Sequence, residues 1–454
     1  MALEILVLAA GLGKRMRSEL PKVLHPLAGR PLLAHVLDTA RALAPRKIIV
    51  VHGHGAEQVR QVFPEKDIDW VLQAEQLGTA HAVTQAMPRI GTDAEVLVLY
   101  GDVPLVSAAT LRRLLDAADG GLAVLTADLD DPATYGRVVR DASGRVKRIV
   151  ETRDASEAER AIREINAGFY ALSAARLARW LKKIDNRNAQ KEYYLTDLVA
   201  AAVSEGTPVA AVKADHAWEA AGVNSKAELA ALERQYQSIY SQTLMDAGVT
   251  LVDPARIDVR GTLDCGRDVT IDVNCVFEGR VSLGDGVRIG PNCVLRNVTV
   301  AANTEVLGFC FLEDSAIGER CRLGPFSRLR PGVQLADQVH IGNFVELKAS
   351  RLGAGSKANH LSYIGDSEVG ARVNVGAGTI TCNYDGAAKH RTVIEDDCFI
   401  GSDATLVAPV RIARGSYIGA GSTINKDTPP GQLTLARARQ VSIPEWKPPT
   451  KKKA

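Results

Sequence analysis

The stretch from Ile394 to Ile424, IEDDCFIGSDATLVAPVRIARGSYIGAGSTI, sets an aliphatic residue at every sixth position: Ile394, Ile400, Leu406, Ile412, Ile418 and Ile424. A six-residue period gives one short strand per repeat and three repeats per coil, with each aliphatic side chain pointing into the middle of a triangular prism. An upstream series, Ile317, Leu323, Leu329, Leu335, Ile341 and Leu347, follows the same rule. Two uninterrupted series make chance a poor explanation, and a parallel β-helix is expected from about Gly248 onward. Such a narrow prism has little interior for a ligand, so its chemistry belongs on the outside, where loops or neighbouring subunits form walls. One polar insertion breaks the period between Ile380 and Ile394, TCNYDGAAKHRTV, and contains Asn383, Tyr384, Lys389 and His390. Insertions of this kind extend the binding face of a solenoid.

Upstream of the solenoid the pattern changes. From Ile5 to about Ala217, apolar runs such as EILVLAAG, KIIVVHGHG, AEVLVLYGDVP and GGLAVLTADL alternate with amphipathic segments such as LLAHVLDTARAL. This is the signature of βαβ units around a mostly parallel sheet. Ligands of such sheets bind beyond the carboxyl ends of the strands, where Gly11, Gly53 and Gly101 fall. Ser225 to Met245 is polar, has helical apolar spacing and lacks Gly and Pro, which predicts a bridging helix. The expected organisation is an α/β domain over 1–224, a linker helix over 225–247 and the solenoid with a tail over 248–454.

The stretch LAAGLGKRM, Leu8 to Met16, ends the first predicted strand. It is not a dinucleotide fingerprint, because the third glycine is replaced by Met16 and no acidic residue ends a second strand about twenty residues on. It also lacks the GxxxxGK[ST] of a triphosphate loop. A strand-to-helix turn with Lys14, Arg15 and Lys22 nearby suits a polyphosphate; a solvated basic turn is the other reading, and these residues alone leave both open.

The 454 residues carry a formal net charge of +2, with 46% hydrophobic and 24% charged residues. That balance gives no general attraction to nucleic acid or an anionic membrane, so neither is expected as a partner and any anion site must be built locally. The start MALEILVLAAG lacks a secretory pattern, so a cytoplasmic location is expected. The seven cysteines, 265, 275, 293, 310, 321, 382 and 398, include no CxxC pair and read as small buried residues.

Several segments in order carry a resemblance. LAAGLGKRM followed by Pro21-Lys22-Val23-Leu24 resembles the signature of sugar-1-phosphate nucleotidyltransferases. QAEQLGTAHAV, YGDVPL, YGRVVRD, the IVE ending at Glu151, EINAGFY, YYLTD and GVNS follow in the order of that family. The solenoid resembles the left-handed hexapeptide-repeat acyltransferases. Together they cover nearly the whole chain and are similar to a bacterial family that joins uridylyl transfer to acetyl transfer on an amino-sugar phosphate. The fold so implied is a Rossmann-like α/β nucleotidyltransferase domain followed by a left-handed parallel β-helix.

The resemblance implies that glucosamine 1-phosphate is acetylated with acetyl-CoA, and that UTP then yields UDP-N-acetylglucosamine and pyrophosphate, for peptidoglycan and lipopolysaccharide precursors. For the nucleotidyl site it implies Arg15 and Lys22 on the phosphates, with Leu8, Ala9, Ala10, Gly11, Gln73, Gly78, Thr79, Tyr100 and Gly101 about the nucleotide. Gly136, Glu151 and Asn166 would meet the sugar, with Tyr194 and Thr196 as further contacts. Asp102 and Asn224 would hold Mg²⁺, a hard cation suited to few oxygen ligands and bridging phosphates. For the acetyl site it implies His360 as base, and Arg330, Lys348, Tyr363, Asn374 and Lys389 about glucosamine 1-phosphate. Ala377, Asn383, Tyr384, Ser402, Ala420 and Arg437 would meet acetyl-CoA, and the assembly would be a homotrimer. Cys382 beside Asn383 raises an acyl-cysteine alternative; direct attack is favoured because a base and an amine suffice.

Three other readings compete with this one: an inert solenoid on a single-activity nucleotidyltransferase, a non-catalytic regulatory subunit, and a three-histidine metal solenoid. His360, the Asn383-Tyr384 insertion and Arg437 speak against the first, and Arg15, Lys22, Asp102 and Asn224 against the second. The spacing of His340, His360 and His390 gives the third no support.

Overall fold

The computed structural model describes residues 2–449 and falls into two compact units, one up to Tyr236 and one from Gln237 onward. The sequence ends in a basic, Pro-rich tail from Lys447 to Lys452, and its part past residue 449 lies outside the described residues.

The first unit is built on a nine-stranded sheet: β1 (Leu3–Ala9), β2 (Lys47–His52), β3 (Ile68–Leu72), β4 (Glu95–Tyr100), β5 (Leu122–Asp128), β6 (Arg137–Arg140), β7 (Val146–Val150), β8 (Glu164–Ser173) and β9 (Val209–Lys213). The main order is β9-β5-β8-β4-β1-β2-β3, with β6 and β7 attached through β8. β1 is parallel to both β2 and β4, whereas β8 runs antiparallel between β4 and β5. Successive residues of β1 point to opposite faces, and both faces are covered. Ile5, Val7 and Ala9 pack with helices Leu32–Arg41 and Ala108–Ala117. Leu6 and Leu8 pack with helices Thr79–Ala86, Ala174–Leu181 and Asp197–Ser204. Burial on both faces is why these strands read as unbroken apolar runs rather than as alternation.

The winding reverses beside β1, since β2 and β3 extend to one side and β4 to the other. This opens a crevice at the carboxyl ends of β1 and β4, the place where open α/β sheets bind ligands.

A helix spans Lys226–Asp246, and the two units part within it. In the first unit, Leu232 is buried with Met16, Leu27, Leu32 and Val223, and Tyr236 meets the His35 ring edge-on at 5.5 Å. In the second, the Gln237 side chain donates to Val259 O (2.9 Å) and accepts from Val259 N (2.8 Å), while Leu244 joins the solenoid core.

The second unit is a parallel β-helix. Its short strands pair only in parallel, and Leu323 lies over Ile341, Leu329 over Leu347 and Ile317 over Leu335. All twelve members of the two aliphatic series are buried in one continuous core. Cys275, Cys293, Cys310, Cys321 and Cys398 share that interior, where their small size suits the packing. Four of these thiols donate to a carbonyl of the next coil, for example Cys275 Sγ to Gly290 O (3.2 Å) and Cys398 Sγ to Ala413 O (3.1 Å). Burial pushes the Cys275 thiol up to about 11, which keeps it protonated and inert.

A packed interior of this kind predicts that Leu347→Ala, at a position fully shielded from solvent, destabilises the solenoid by ~2–5 kcal/mol. Hydrogen exchange of the amides around Leu329, Leu347 and Ile364 measures it, with protection expected to fall most in those coils.

Candidate functional sites

The crevice between β1 and β4 forms a cleft of about 580 Å³. Of the residues expected at the nucleotide site, Leu8, Ala9, Ala10, Gly11, Lys22, Gln73, Gly78, Thr79, Tyr100, Asp102 and Asn224 line it. A Cβ at Gly11 would meet no atom within 4 Å, so the space above this backbone is open cleft. Gly13 has φ of +60°, and a Cβ there would stand 3.0 Å from Lys22 Cβ, so glycine lets the two turns of the loop close on each other. At Gly78, φ is +113° and a Cβ would fall 2.4 Å from Tyr193 O. That close approach seats the first turn of helix Thr79–Ala86, where Ala80 N bonds Tyr193 O (2.9 Å).

The centre of the cleft is a three-residue constellation. The Lys22 ammonium is bound by the Asp102 carboxylate and by Asn224 Oδ1 (3.0 Å), and the Lys22 and Asp102 side chains are both largely buried. Asp102 leaves the end of β4, and its carbonyl accepts from Val223 N (2.9 Å), which draws the segment carrying Asn224 into place. Two hard oxygens thus converge on one cation. That donor chemistry fits a magnesium ion that keeps most of its waters.

Other expected residues are placed differently. Arg15 is exposed on the loop, near enough for its charge to act on Tyr135 together with that of Asp102. Gly101 is buried against Ala9, Val23 and Leu33. Asn166 is spent internally, donating to Tyr170 Oη (2.8 Å) and accepting from Gly168 N (3.1 Å). Glu151, Tyr194 and Thr196 line a second cavity of about 190 Å³, in which Thr196 Oγ1 donates to Glu151 (3.1 Å). Gly136 backs it, since a Cβ there would come within 3.5 Å of Glu151 Oε1. Gln190, on the wall of the larger cleft, donates to Tyr194 Oη (2.9 Å). Sequence reasoning missed Gln76, Gln190 and Glu192 as cleft residues. Gln76 stands inside the quoted QAEQLGTAHAV; the other two lie just before YYLTD and carry no signal of their own.

On the solenoid, coil register assembles a second constellation. Asn343 pairs with His360. The pairings Ala358 with Val375, Val375 with Ile400 and Ile400 with Ile418 continue that corner as His360, Ala377, Ser402 and Ala420. Backbone bonds run along it, Asp403 N to Ala377 O (2.7 Å) and Gly421 N to Ser402 O (2.8 Å), and Arg437 Nη1 donates to Ala420 O (2.8 Å). His360 Nδ1 lies 3.0 Å from Asn343 Oδ1, a partner that sequence reasoning missed because it sits seventeen residues upstream, one coil away.

The following edge gathers cations. Arg330 and Lys348 stack because Leu329 lies over Leu347; Arg330 Nη1 donates to Glu346 (3.0 Å) and Lys348 Nζ lies 3.5 Å from Asp366. Asn383 bonds the Asp366 carboxylate and reaches Tyr363 Oη (3.4 Å). Lys389 joins this group, and the ammonium of Lys348 beside it holds it below the ordinary lysine range. Asn374 lies on the adjacent face between Lys357 and Phe399 in register, and Tyr384 is exposed in the inserted loop, its hydroxyl on Gly386 O (2.6 Å).

Comparison with known proteins finds three family matches along the chain. Residues 5–185 match the MobA-like NTP transferase domain family, residues 259–342 the GMPPB C-terminal domain, and residues 391–426 the bacterial transferase hexapeptide family with six repeats. The chain is 59% identical over 454 residues to the bifunctional protein GlmU of Aromatoleum aromaticum, with all of both chains covered. It is 57% identical over 452 residues to bifunctional protein GlmU of Ralstonia nicotianae, with 99% of each covered. The chain belongs to the bifunctional GlmU family. As a GlmU-family protein it is a bifunctional transferase, a nucleotidyltransferase domain followed by a hexapeptide acyltransferase domain. No helix among its described residues is long and apolar enough to cross a membrane.

The smaller cavity of this GlmU-family chain makes a prediction about pH. Burial, reinforced by Asp185 and Asp154, pushes Asp197 up to about 6 from 3.8. The folded state therefore holds a proton more tightly than the unfolded chain, and the stabilisation, complete below pH 3.8, is lost as pH rises through about 6. Asp197→Asn should stabilise the first unit relative to the parent above pH 6, with the difference vanishing below pH 3.8. Denaturation followed by tryptophan fluorescence checks it, because Trp70, Trp180 and Trp218 all lie in that unit.

Proposed function

We propose that this chain makes UDP-N-acetylglucosamine in two steps, acetyl transfer on the solenoid and then uridylyl transfer in the α/β unit, feeding peptidoglycan and lipopolysaccharide precursors. The observation that carries the reading is that each unit presents one separate constellation suited to one of the two reactions. The assigned spans are 1–224 for uridylyl transfer, 225–247 as connecting helix and 248–454 for acetyl transfer.

In the first step the amine of glucosamine 1-phosphate attacks the thioester carbonyl of acetyl-CoA. The C–N bond forms, the C–S bond breaks with coenzyme A leaving as the thiolate, and the amine proton taken up by His360 is passed on to that sulfur, which gives the thiol and restores the neutral ring. With Nδ1–H donating to Asn343 Oδ1, Nε2 keeps its lone pair and can take that proton. Ala377, Ser402, Ala420 and Arg437 follow His360 along one corner, a track for an extended pantetheine carrier, with Asn383 and Tyr384 of the inserted loop beside it. Arg330, Lys348 and Lys389 supply the charge for the sugar phosphate, with Tyr363 and Asn374 around the ring. Cys382 is left outside the chemistry.

In the second step a phosphate oxygen of N-acetylglucosamine 1-phosphate attacks the α-phosphorus of UTP and pyrophosphate leaves. Two polyanions must be brought together, so neutralisation and alignment are the protein's tasks. Lys22 and Arg15 hold the triphosphate, with the backbone at Ala10 and Gly11 against the nucleotide. Gln73, Gly78 and Thr79 suit a neutral base, and Glu151 faces the sugar with Gly136 and Asn166 behind it. Asp102 and Asn224 would hold Mg²⁺, which supplies charge neutralisation across the phosphates.

A homotrimer in the cytoplasm completes the reading. Supporting self-association, Phe309, Phe326, Phe344 and Leu361 form an exposed apolar column along one corner, with the phenyl rings stacked at 4.9 and 5.3 Å. All four residues take positive φ, an uncommon conformation for bulky side chains. Phe344 follows Asn343 and Leu361 follows His360, so a second copy covering this column would wall the acetyl site.

Separation of the two activities tests the proposal. Arg15→Ala and Asp102→Ala should each lower uridylyl transfer by about 100-fold or more while acetyl transfer stays within about twofold. His360→Ala should do the reverse, with a loss of about 10²–10⁴-fold, and Cys382→Ala should acetylate at the parental rate. Separate assays with N-acetylglucosamine 1-phosphate plus UTP, and with glucosamine 1-phosphate plus acetyl-CoA, read each step. Joint loss of both activities in a folded variant would defeat the two-site scheme.

A further inference from the structure

The inserted loop contains a histidine that neither reaction above uses. From Ser367 to its register partner Thr392 the chain takes 25 residues, against 18 from Leu329 to Leu347. The excess folds into a tight hairpin closed at several points. Tyr384 pairs with Lys389, His390 N donates to Asn383 O (2.8 Å), and Asp385 N donates to Ala388 O (3.2 Å). At its tip Asp385 Oδ1 accepts from Ala387 N (2.8 Å) and Ala388 N (2.7 Å), and Asp385 Oδ2 accepts from His390 Nε2 (2.6 Å).

This hairpin holds Lys389 where electrostatics alone would not. Lys389 stands against Lys348 and feels Arg330, while the nearby carboxylates already have partners, Glu346 on Arg330 and Asp366 on Lys348 and Asn383. Gathering a third cation there is unfavourable until an anion arrives, so something other than charge must fix it. The residue next to Lys389 is His390. Adjacent side chains of an extended segment point to opposite sides, so tethering the His390 ring sets the direction in which Lys389 leaves the backbone.

We propose that His390 and Asp385 form a positioning pair that presents the Lys389 ammonium, beside Lys348 and Arg330, to the phosphate of the sugar substrate. The inference rests on the acetyltransferase reading of the solenoid and adds to it a pair that touches no substrate. The N–H groups of Ala388 and Ala387 and the His390 ring keep the Asp385 carboxyl well below its usual range, so it is an acceptor throughout the working pH. A general loop staple would act differently, because Asn383 and Tyr384 of the same loop are assigned to acetyl-CoA and would be disturbed equally.

The test is steady-state acetyl transfer by the full-length chain, varying each substrate in turn. His390→Ala should raise KM for glucosamine 1-phosphate about five- to tenfold, with kcat and KM for acetyl-CoA within about twofold. His390→Gln, which keeps an N–H donor for Asp385, should stay within about twofold of the parent, and Asp385→Asn should shift the same KM in the same direction as His390→Ala. Uridylyl transfer by the same preparations should be unchanged, which establishes that the first unit is intact, and an unchanged kcat and KM for acetyl-CoA establish the same for the solenoid. An unaltered KM in His390→Ala, an equal rise for both substrates, or a Gln variant no better than Ala would each overturn the positioning role. Failure of the parent chain to acetylate glucosamine 1-phosphate would instead remove the acetyltransferase reading, and the inference with it.

Discussion

The coil-to-coil register of the solenoid is the constraint on which the second unit depends. Parallel strands in neighbouring coils exchange backbone hydrogen bonds, and a slip of one residue would turn each inward aliphatic to the solvent. Leu329 must therefore lie over Leu347, and Ile400 over Ile418. The outward corners have no such demand of their own, yet they inherit the alignment. That inheritance brings Asn343, His360, Ala377, Ser402 and Ala420 into one column, although they span 78 positions of sequence. The interior supplies no chemistry and still decides where the chemistry can be.

The first unit reaches a comparable result by a different route. Its central strands are apolar on both faces, so polar side chains that must meet a ligand are confined to strand ends and to the loops leaving them. Reversal of the winding beside β1 then selects which ends remain uncovered. Ala10 and Gly11 leave β1, Asp102 leaves β4, and both segments face one cleft. The Asp102 carbonyl draws in Val223 by a backbone bond, and Asn224 comes with it from more than a hundred residues away.

Much of this was legible in the sequence because periodicity is a local signal. The six-residue series announced the prism, and the apolar runs between amphipathic segments announced the wound sheet. Where the units part was less visible: the first eleven residues of helix Lys226–Asp246 bury Leu232 and pack Tyr236 among side chains of the first unit, and helical spacing carries no mark of that change of partner. Site residues divided in the same way. The ordered motifs located Lys22, Asp102 and Asn224, but not that Lys22 lies bound between the other two, because that contact joins segments 80 and 202 residues apart. Asn343 beside His360 was missed for the same reason, since a coil-to-coil contact leaves no trace in a local motif. Arg15 belongs to a quoted motif and stands exposed on its loop.

The two units also differ in how they keep cations ready for anionic substrates in a chain whose net charge is only +2. In the cleft the Lys22 side chain is 13% exposed, and an unpaired ammonium at that depth would carry a desolvation cost of several kcal/mol. It is accordingly held by a carboxylate and an amide oxygen. On the solenoid edge Lys389 stands in solvent beside Lys348, where water and salt screen like charges and proximity is tolerable. Screening lowers the cost of the cluster but gives it no shape, because repulsion between neighbouring lysines favours any geometry that separates them. Shape must come from the backbone, and at this edge the extra length of the coil and the closed hairpin at its end provide it. A regular coil, with every corner committed to a tight turn, has no chain to spare for that purpose, which is a physical reason for the period to break where the cations gather.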